Sequence, residues 1–151
     1  MITKGLMSSN TDEWATPIKF YEELDKEFHF DLDPCATHEN HKCKKYYTKE
    51  EDGLKQSWRY HRVFMNPPYG REIGKWVAKA YTEHLVNNTF VVMLLPARTD
   101  TKWFHDWIYK KGDTEIRFIK GRLKFNDGKQ SAPFPSMIVI FGRKGVANEL
   151  G

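Results

Sequence analysis

Asn66-Pro67-Pro68-Tyr69 is the stretch whose residue types could do chemistry. It follows the apolar run Val63-Phe64-Met65. Proline cannot continue a strand, because it lacks the N–H and fixes φ. A buried strand therefore stops here, with an amide, two prolines and a ring at its carboxyl end, which is where ligands bind in open α/β sheets. An exocyclic aromatic amine is a poor nucleophile, since its lone pair is delocalised into the ring. Two acceptors on its two N–H groups would favour a pyramidal nitrogen. They would also stabilise the positive charge that builds as a methyl group arrives. The Asn66 side-chain oxygen is one such acceptor, neutral and directional. The Pro67 carbonyl, held rigidly by the two prolines, is the other. The Tyr69 ring can stack on an extruded base. As a bare tetrapeptide the motif also reads as a tight turn; its place directly after an apolar strand favours the chemistry.

The elements around this tip can be read from periodicity. Thr16-Pro17 is a helix start, a hydroxyl N-cap followed by proline at the first helical position. Ile18, Tyr21, Leu24 and Phe28 extend it as an apolar stripe over roughly 17–27. Residues 28–33 alternate ring and polar groups, which predicts a short strand ending at Asp33-Pro34. Residues 36–47 are polar and basic, a loop or short helix, and 46–48 read as a second short strand. Asp52-Gly53-Leu54 is a turn signal, with Trp58 over the core. Residues 62–65 form the strand that carries the catalytic candidate. Ile73, Trp76, Val77, Ala80, Tyr81, His84 and Leu85 define the clearest helix, and Asn87-Asn88 ends it. Residues 89–95 are a continuous apolar run closed by Pro96, the pattern of a central strand covered on both faces. Thr99 or Asp100 caps a third helix containing Trp103, Phe104, Trp107 and Ile108. Strands follow at 115–119 and 137–141, with a turn at Asn126-Asp127-Gly128 that suggests an antiparallel excursion at one sheet edge. Strands alternating with helices predict an α/β fold with a parallel core.

The chain has 151 residues, the size of one domain with a real core. We divide it into a lead-in at 1–11, a single domain at 12–142 and a tail at 143–151. Aromatics reach 15%, most of them expected in the core, with some able to stack on nucleobases. A net charge of +4 permits a polyanionic partner without demanding one. Two cysteines are no secreted framework. No apolar signal segment or membrane span stands out, so a cytoplasmic setting is expected, and no obligatory protein partner is evident.

The ordered motifs carry a resemblance. Asp12-x-Trp14-x-Thr16-Pro17, Asp31-Leu32-Asp33-Pro34-Cys35-Ala36, Asp52-Gly53-Leu54 with Trp58, Asn66 to Tyr69, Leu95-Pro96-Ala97-Arg98-Thr99-Asp100-Thr101, Gly121-Arg122-Leu123-Lys124-Phe125 and Pro133-Phe134-Pro135-Ser136 resemble, in that order, compact phage-type Dam-like DNA adenine-N6 methyltransferases. The likeness covers roughly 12–142. It implies a reduced Rossmann-like fold, mainly parallel with an antiparallel edge hairpin, S-adenosylmethionine as methyl donor and double-stranded DNA as partner. It implies that Asn66, Pro67, Pro68 and Tyr69 are catalytic. Trp14, Thr16, Pro17, Asp33, Pro34 and Asp52 would bind the cofactor, with Asp52 accepting from its adenine amine. Asp33-Pro34-Cys35-Ala36 lacks the Gly-x-Gly of larger methyltransferases. The length leaves no separate target-recognition domain, so any reading of DNA sequence is expected from loops, with 36–47, 98–102 and 121–135 as the candidates.

Other signals weigh less. Cys35, His38, His41 and Cys43 are metal-ligating types, but the segment between the pairs is too short for the usual zinc spacings, and no metal is expected. Arg98, Lys102, Lys120, Arg122 and Lys124 flank the strand tips and could track phosphates. Phe134 could wall a base pocket. The rival readings are an enzyme acting on another planar amine or amide in RNA or protein, a catalytically silent DNA-binding relative, and a generic nucleotide-binding protein. The last lacks a phosphate-binding glycine loop.

Overall fold

The computed structural model describes residues 14–142, so the lead-in at 1–11, Asp12 and the tail at 143–151 lie outside the described residues. The main sheet has six strands: β1 Leu32–Asp33, β2 Lys45–Tyr46, β3 Arg62–Met65, β4 Phe90–Pro96, β5 Thr114–Phe118 and β8 Ser136–Phe141, in the order β2-β1-β3-β4-β8-β5. β2, β1, β3 and β4 are parallel; β8 runs antiparallel between β4 and β5. β6 Lys124–Phe125 and β7 Gln130–Ser131 form a separate two-stranded hairpin.

Helix α1, Ile18–Phe28, and helix α2, Ile73–Asn87, cover opposite faces. Side chains alternate across a strand, and β3 and β4 pair with Phe64 beside Val92. Phe64 and Phe90 therefore share a face, and Tyr21 and Phe28 of α1 pack on those two rings at 5.1 and 5.4 Å between centroids. Val91 pairs with Phe141 on the other face, where Tyr81 of α2 meets Phe141 at 5.5 Å. Helix α3, Lys102–Trp107, follows β4. Every residue of β4 and β8 is buried, as a strand covered on both faces requires.

Four local expectations are corrected. Residues 28–31 are not strand: Phe28 ends α1, His29 turns the chain with φ 55°, and only Leu32–Asp33 pairs. The alternating rings serve packing instead, Phe28 and Phe30 lying 5.9 Å apart. Thr16 does not cap α1; Pro17 stands at the N-cap without a side-chain bond, and the Ile18 N–H donates to Asp127 Oδ1 at 2.9 Å. Helix α3 is capped by Thr101, whose hydroxyl accepts from the Phe104 N–H, and not by Thr99 or Asp100. The turn at 126–128 joins the separate hairpin, while the antiparallel edge of the main sheet is made by β8 and β5.

Candidate active site

The carboxyl ends of parallel β1, β3 and β4 point the same way. Asp33, Asn66 and Pro96 thus stand along one rim. Beneath that rim a cavity of about 730 Å³ opens between the β1 and β3 tips. Trp14, Thr16, Asp33, Pro34, Asp52, Asn66, Pro67 and Pro68 all line it. Pro17 and Tyr69 are not among its lining residues.

Asn66 leaves β3 as the sheet ends, and its carboxamide is fixed at one end. The nitrogen donates to the Trp14 carbonyl and, at 2.8 Å, to the Thr16 hydroxyl. The oxygen is buried and has no hydrogen-bond partner among the described residues. A carbonyl can only accept, so the Trp14 oxygen dictates which end of the amide turns toward it. The free acceptor is therefore the Asn66 oxygen.

Asp33 is buried, and both its oxygens work inside the chain. Oδ1 accepts from the Cys35 N–H at 3.2 Å and Oδ2 from the Lys42 N–H at 3.0 Å. Burial pushes its carboxyl up to about 6, against the pull of those two N–H groups. In place of a glycine loop, one carboxylate gathers residues 35–42 around the tip of β1. Asp52 sits at φ 58° and caps the short 3₁₀ helix Gly53–Lys55 through the Leu54 N–H. The Trp58 indole donates to the Gly53 carbonyl at 3.0 Å and fixes this turn from below.

Tyr69 is buried. Its hydroxyl donates to the Leu94 carbonyl at 3.1 Å, and burial raises its pKa. Phe125 and Phe134 cover the ring edge-to-face, at 6.4 and 5.5 Å, and Trp14 packs on the same two phenylalanines. Phe134 belongs to this aromatic cluster and is itself buried. Arg98, Lys102, Arg122 and Lys124 are exposed. The Arg98 guanidinium lies 5.8 Å from the Phe134 ring centre, and Lys102 pairs with Asp106.

Three of the four loop histidines and cysteines are otherwise engaged, and Cys35 lines the cavity. His38 bonds the Tyr46 hydroxyl, His41 stacks on the Tyr46 ring and bonds the Cys43 carbonyl, and Cys43 Sγ meets the Tyr21 hydroxyl. Among the described residues no helix is long and apolar enough to cross a membrane.

Two lining residues, Asn126 and Gln130 of the hairpin, fall in the candidate DNA-reading loop 121–135 but carried no signal in the sequence for the cavity. The Asn126 side-chain oxygen accepts from the Ala15 N–H at 3.1 Å, and its own N–H donates to the Ala15 carbonyl. Asn-Asp-Gly announces a hairpin turn, but nothing local announces a partner 111 residues away. Trp76, also lining, appeared only as part of a helical stripe.

A family model described as "DNA N-6-adenine-methyltransferase (Dam)" matches residues 4–145. The chain is similar to a DNA N-6-adenine-methyltransferase of Haemophilus phage HP1, 32% identical over 152 residues, with 95% of this chain and 87% of the relative covered. It is also similar to a DNA N-6-adenine-methyltransferase of Escherichia phage T1, 34% identical over 139 residues, covering 90% of this chain and 57% of that longer relative.

Proposed function

The chain belongs to the DNA N-6-adenine-methyltransferase (Dam) family, and we propose that it methylates the exocyclic amine of adenine in double-stranded DNA at the Asn66 tip. The observation that carries this reading is the orientation of the Asn66 carboxamide. Its nitrogen is engaged, its oxygen is buried without a hydrogen-bond partner among the described residues, and the residue lines the cavity at the β3 tip. A buried acceptor left alone costs about 1–3 kcal/mol. An adenine amine offers the N–H that would satisfy it.

The residues present fit S-adenosylmethionine. A cavity of about 730 Å³ is of ligand size, and the walls combine a carboxylate, aromatic rings and backbone. Bound there, the sulfonium would supply an electrophilic methyl group. Asp52 would accept from the donor's adenine amine, Asp33 and Pro34 would wall it at the β1 tip, and Trp14 and Thr16 would border its methionine end. Pro17, at the N-cap of α1 and not among the lining residues, would contribute to the methionine end only through its neighbour Thr16.

On the substrate side, Asn66 Oδ1 and the Pro67 carbonyl would take one amine N–H each. Both bonds strengthen as the nitrogen gains positive charge, and neither acceptor has to reorganise. Direct transfer asks the protein for no nucleophile, so positioning supplies most of the rate. An adenine that stacks on Tyr69 has to displace Phe134 and Phe125 from that ring. Reaching that ring would ask the Phe125 and Phe134 side chains to rearrange. Arg98, Lys102, Arg122 and Lys124 would hold phosphates, and loops 36–47, 98–102 and 121–135 would read sequence. The protein works in the cytoplasm of the cell that holds its DNA.

The test is transfer of labelled methyl from S-adenosylmethionine to unmethylated duplex DNA, digested to nucleosides, with RNA and protein as competitors. N6-methyladenine from DNA is expected. Folded, donor-binding protein that methylates only RNA or protein, or nothing, would overturn the proposal.

A further inference from the structure

A carboxamide is nearly symmetric in shape, and a half-turn exchanges its oxygen for its nitrogen. Turned the wrong way, Asn66 would present an NH₂ group to a substrate amine and repel it. Nothing inside Asn66-Pro67-Pro68-Tyr69 prevents that half-turn. The group that does is the Trp14 carbonyl, which can only accept, and the Thr16 hydroxyl takes the second amide bond and holds the side chain against it; both lie about fifty residues earlier in the chain.

Those groups are themselves held by the hairpin. Ala15, between them, makes a reciprocal pair of bonds with Asn126: its N–H donates to Asn126 Oδ1 at 3.1 Å, and its carbonyl accepts from the Asn126 N–H at 2.9 Å. The Asn126 amide is oriented in turn by donating to Gln130 Oε1 at 2.6 Å. Asp127 takes the Ile18 N–H, the bond that a local N-cap would otherwise make. That leaves the Thr16 hydroxyl for Asn66. Asn126 and Asp127 have φ of 55° and 54°, a left-handed conformation that Asn and Asp tolerate better than most residues.

We infer that residues 14–16, anchored by Asn126, orient the Asn66 carboxamide so that its oxygen faces the substrate. Thr16 and Asn126 are thus positioning residues for methyl transfer. The inference rests on the methyltransferase reading for its kinetic consequence, but the geometry it describes is a property of the free protein. It also separates two roles for Thr16, since a residue that bordered only the donor would act on donor affinity.

The experiment compares Thr16→Val, Thr16→Ser, Asn126→Ala and Asn126→Asp with the wild type. With saturating S-adenosylmethionine and duplex DNA, Thr16→Val and Asn126→Ala should lower kcat by about tenfold or more, as expected of a misaimed group. KM for DNA and Kd for the donor should stay within about threefold. Thr16→Ser, which restores the acceptor, and Asn126→Asp, which keeps an oxygen for the Ala15 N–H, should recover most of kcat. A wild-type kcat in Thr16→Val, or a loss confined to donor Kd, would overturn the inference. A second readout is independent of turnover. The Asn66 side-chain amide protons, assigned by their loss in Asn66→Ala, should exchange slowly with solvent in the wild type and faster in Thr16→Val and Asn126→Ala. Unchanged exchange would refute the positioning role even in a protein that transfers no methyl group.

Discussion

Gly53 packs directly beneath Pro34: a β-carbon added to it would overlap the Pro34 carbonyl oxygen and stand 3.1 Å from the Trp76 ring. Two separate pieces of the cavity wall, the β1 tip and the Asp52 turn, touch through this one missing side chain.

Gly53→Ala should therefore damage both stability and donor binding. The overlap is with backbone, so no rotamer relieves it, and either the Asp52 turn or Pro34 must move. Overpacking of this kind costs about 1–3 kcal/mol. A lowered melting temperature together with S-adenosylmethionine affinity weakened at least about tenfold would show it in calorimetry. A variant that binds the donor normally would mean that the contact between the two tips does not shape the site.

Asp33 gives a pH dependence of unusual sign. Its carboxyl is pushed up to about 6 by burial, from an ordinary 3.8 in the unfolded chain. Between those values the folded state holds the proton more often, so this group's contribution to stability falls as pH rises through the window. It is fully favourable below about 4 and lost above about 6. The size is on the order of 3 kcal/mol. Other carboxylates titrate nearby, so the measurement is the difference in urea unfolding free energy between wild type and Asp33→Asn, taken at pH 4.5 and 7.5. That difference should move against the wild type at the higher pH. A difference independent of pH would contradict the raised value.

The parts of the fold legible in the sequence are those decided by local pattern. Helix α2 matches its apolar stripe from Ile73 to His84 but not at Leu85, which is exposed while Glu83 is buried against the Trp58 N–H and Lys79, and β4 matches its continuous run between Thr89 and Pro96. The errors sit where a distant residue overrides a local preference. Thr16 reads as an N-cap because the rule considers only neighbours; Asp127 supplies that bond from 109 residues away. The alternation at 28–33 reads as strand because ring spacing alone cannot show that Phe28 ends a helix. In the site, Asn66, Pro67, Pro68, Asp33 and Pro34 lie on one cavity, as tips of parallel strands must, and the Asp52 turn joins them there. The setting of Tyr69 was not legible, because Phe125 and Phe134, which cover it, belong to the late hairpin region.

Tyr69 can be divided into hydroxyl and ring. The hydroxyl donates to the Leu94 carbonyl in a buried setting, so Tyr69→Phe should lose about 1 kcal/mol of stability. Its ring remains, and methyl transfer should keep most of its rate. Tyr69→Ala removes the ring as well. It should destabilise by about 3–5 kcal/mol and weaken binding to duplex DNA more than to the methyl donor. Chemical unfolding and DNA titration measure the two effects. A Tyr69→Phe variant as inactive as Tyr69→Ala would place the function in the hydroxyl.

Asn66→Ala should spare the donor and remove the reaction. Deleting the carboxamide takes away an acceptor aimed at developing charge, a loss of about a hundredfold or more in kcat. The Trp14 carbonyl and Thr16 hydroxyl lose their shared donor, but the unpartnered Asn66 oxygen is removed with it, so the two effects offset and the change in stability should stay within about 1 kcal/mol. Single-turnover kinetics with donor affinity measured in parallel separates the effects. Full activity in the alanine variant would remove Asn66 from the mechanism.

The basic residues should not be equivalent on DNA. Arg122 and Lys124 are exposed and, among the described residues, make no ion pair, whereas Lys102 already neutralises Asp106. A side chain that binds phosphate releases a counterion, and removing it lowers the salt slope of log K by about one. A lysine that must first leave a carboxylate contributes less, because it exchanges one partner for another. Arg122→Ala and Lys124→Ala should each flatten the slope by about one, and Lys102→Ala by clearly less. All three should leave donor affinity unchanged. DNA titrations from low to physiological salt give the slopes. Equal slopes for all four proteins would move the phosphate track away from the hairpin side of the rim.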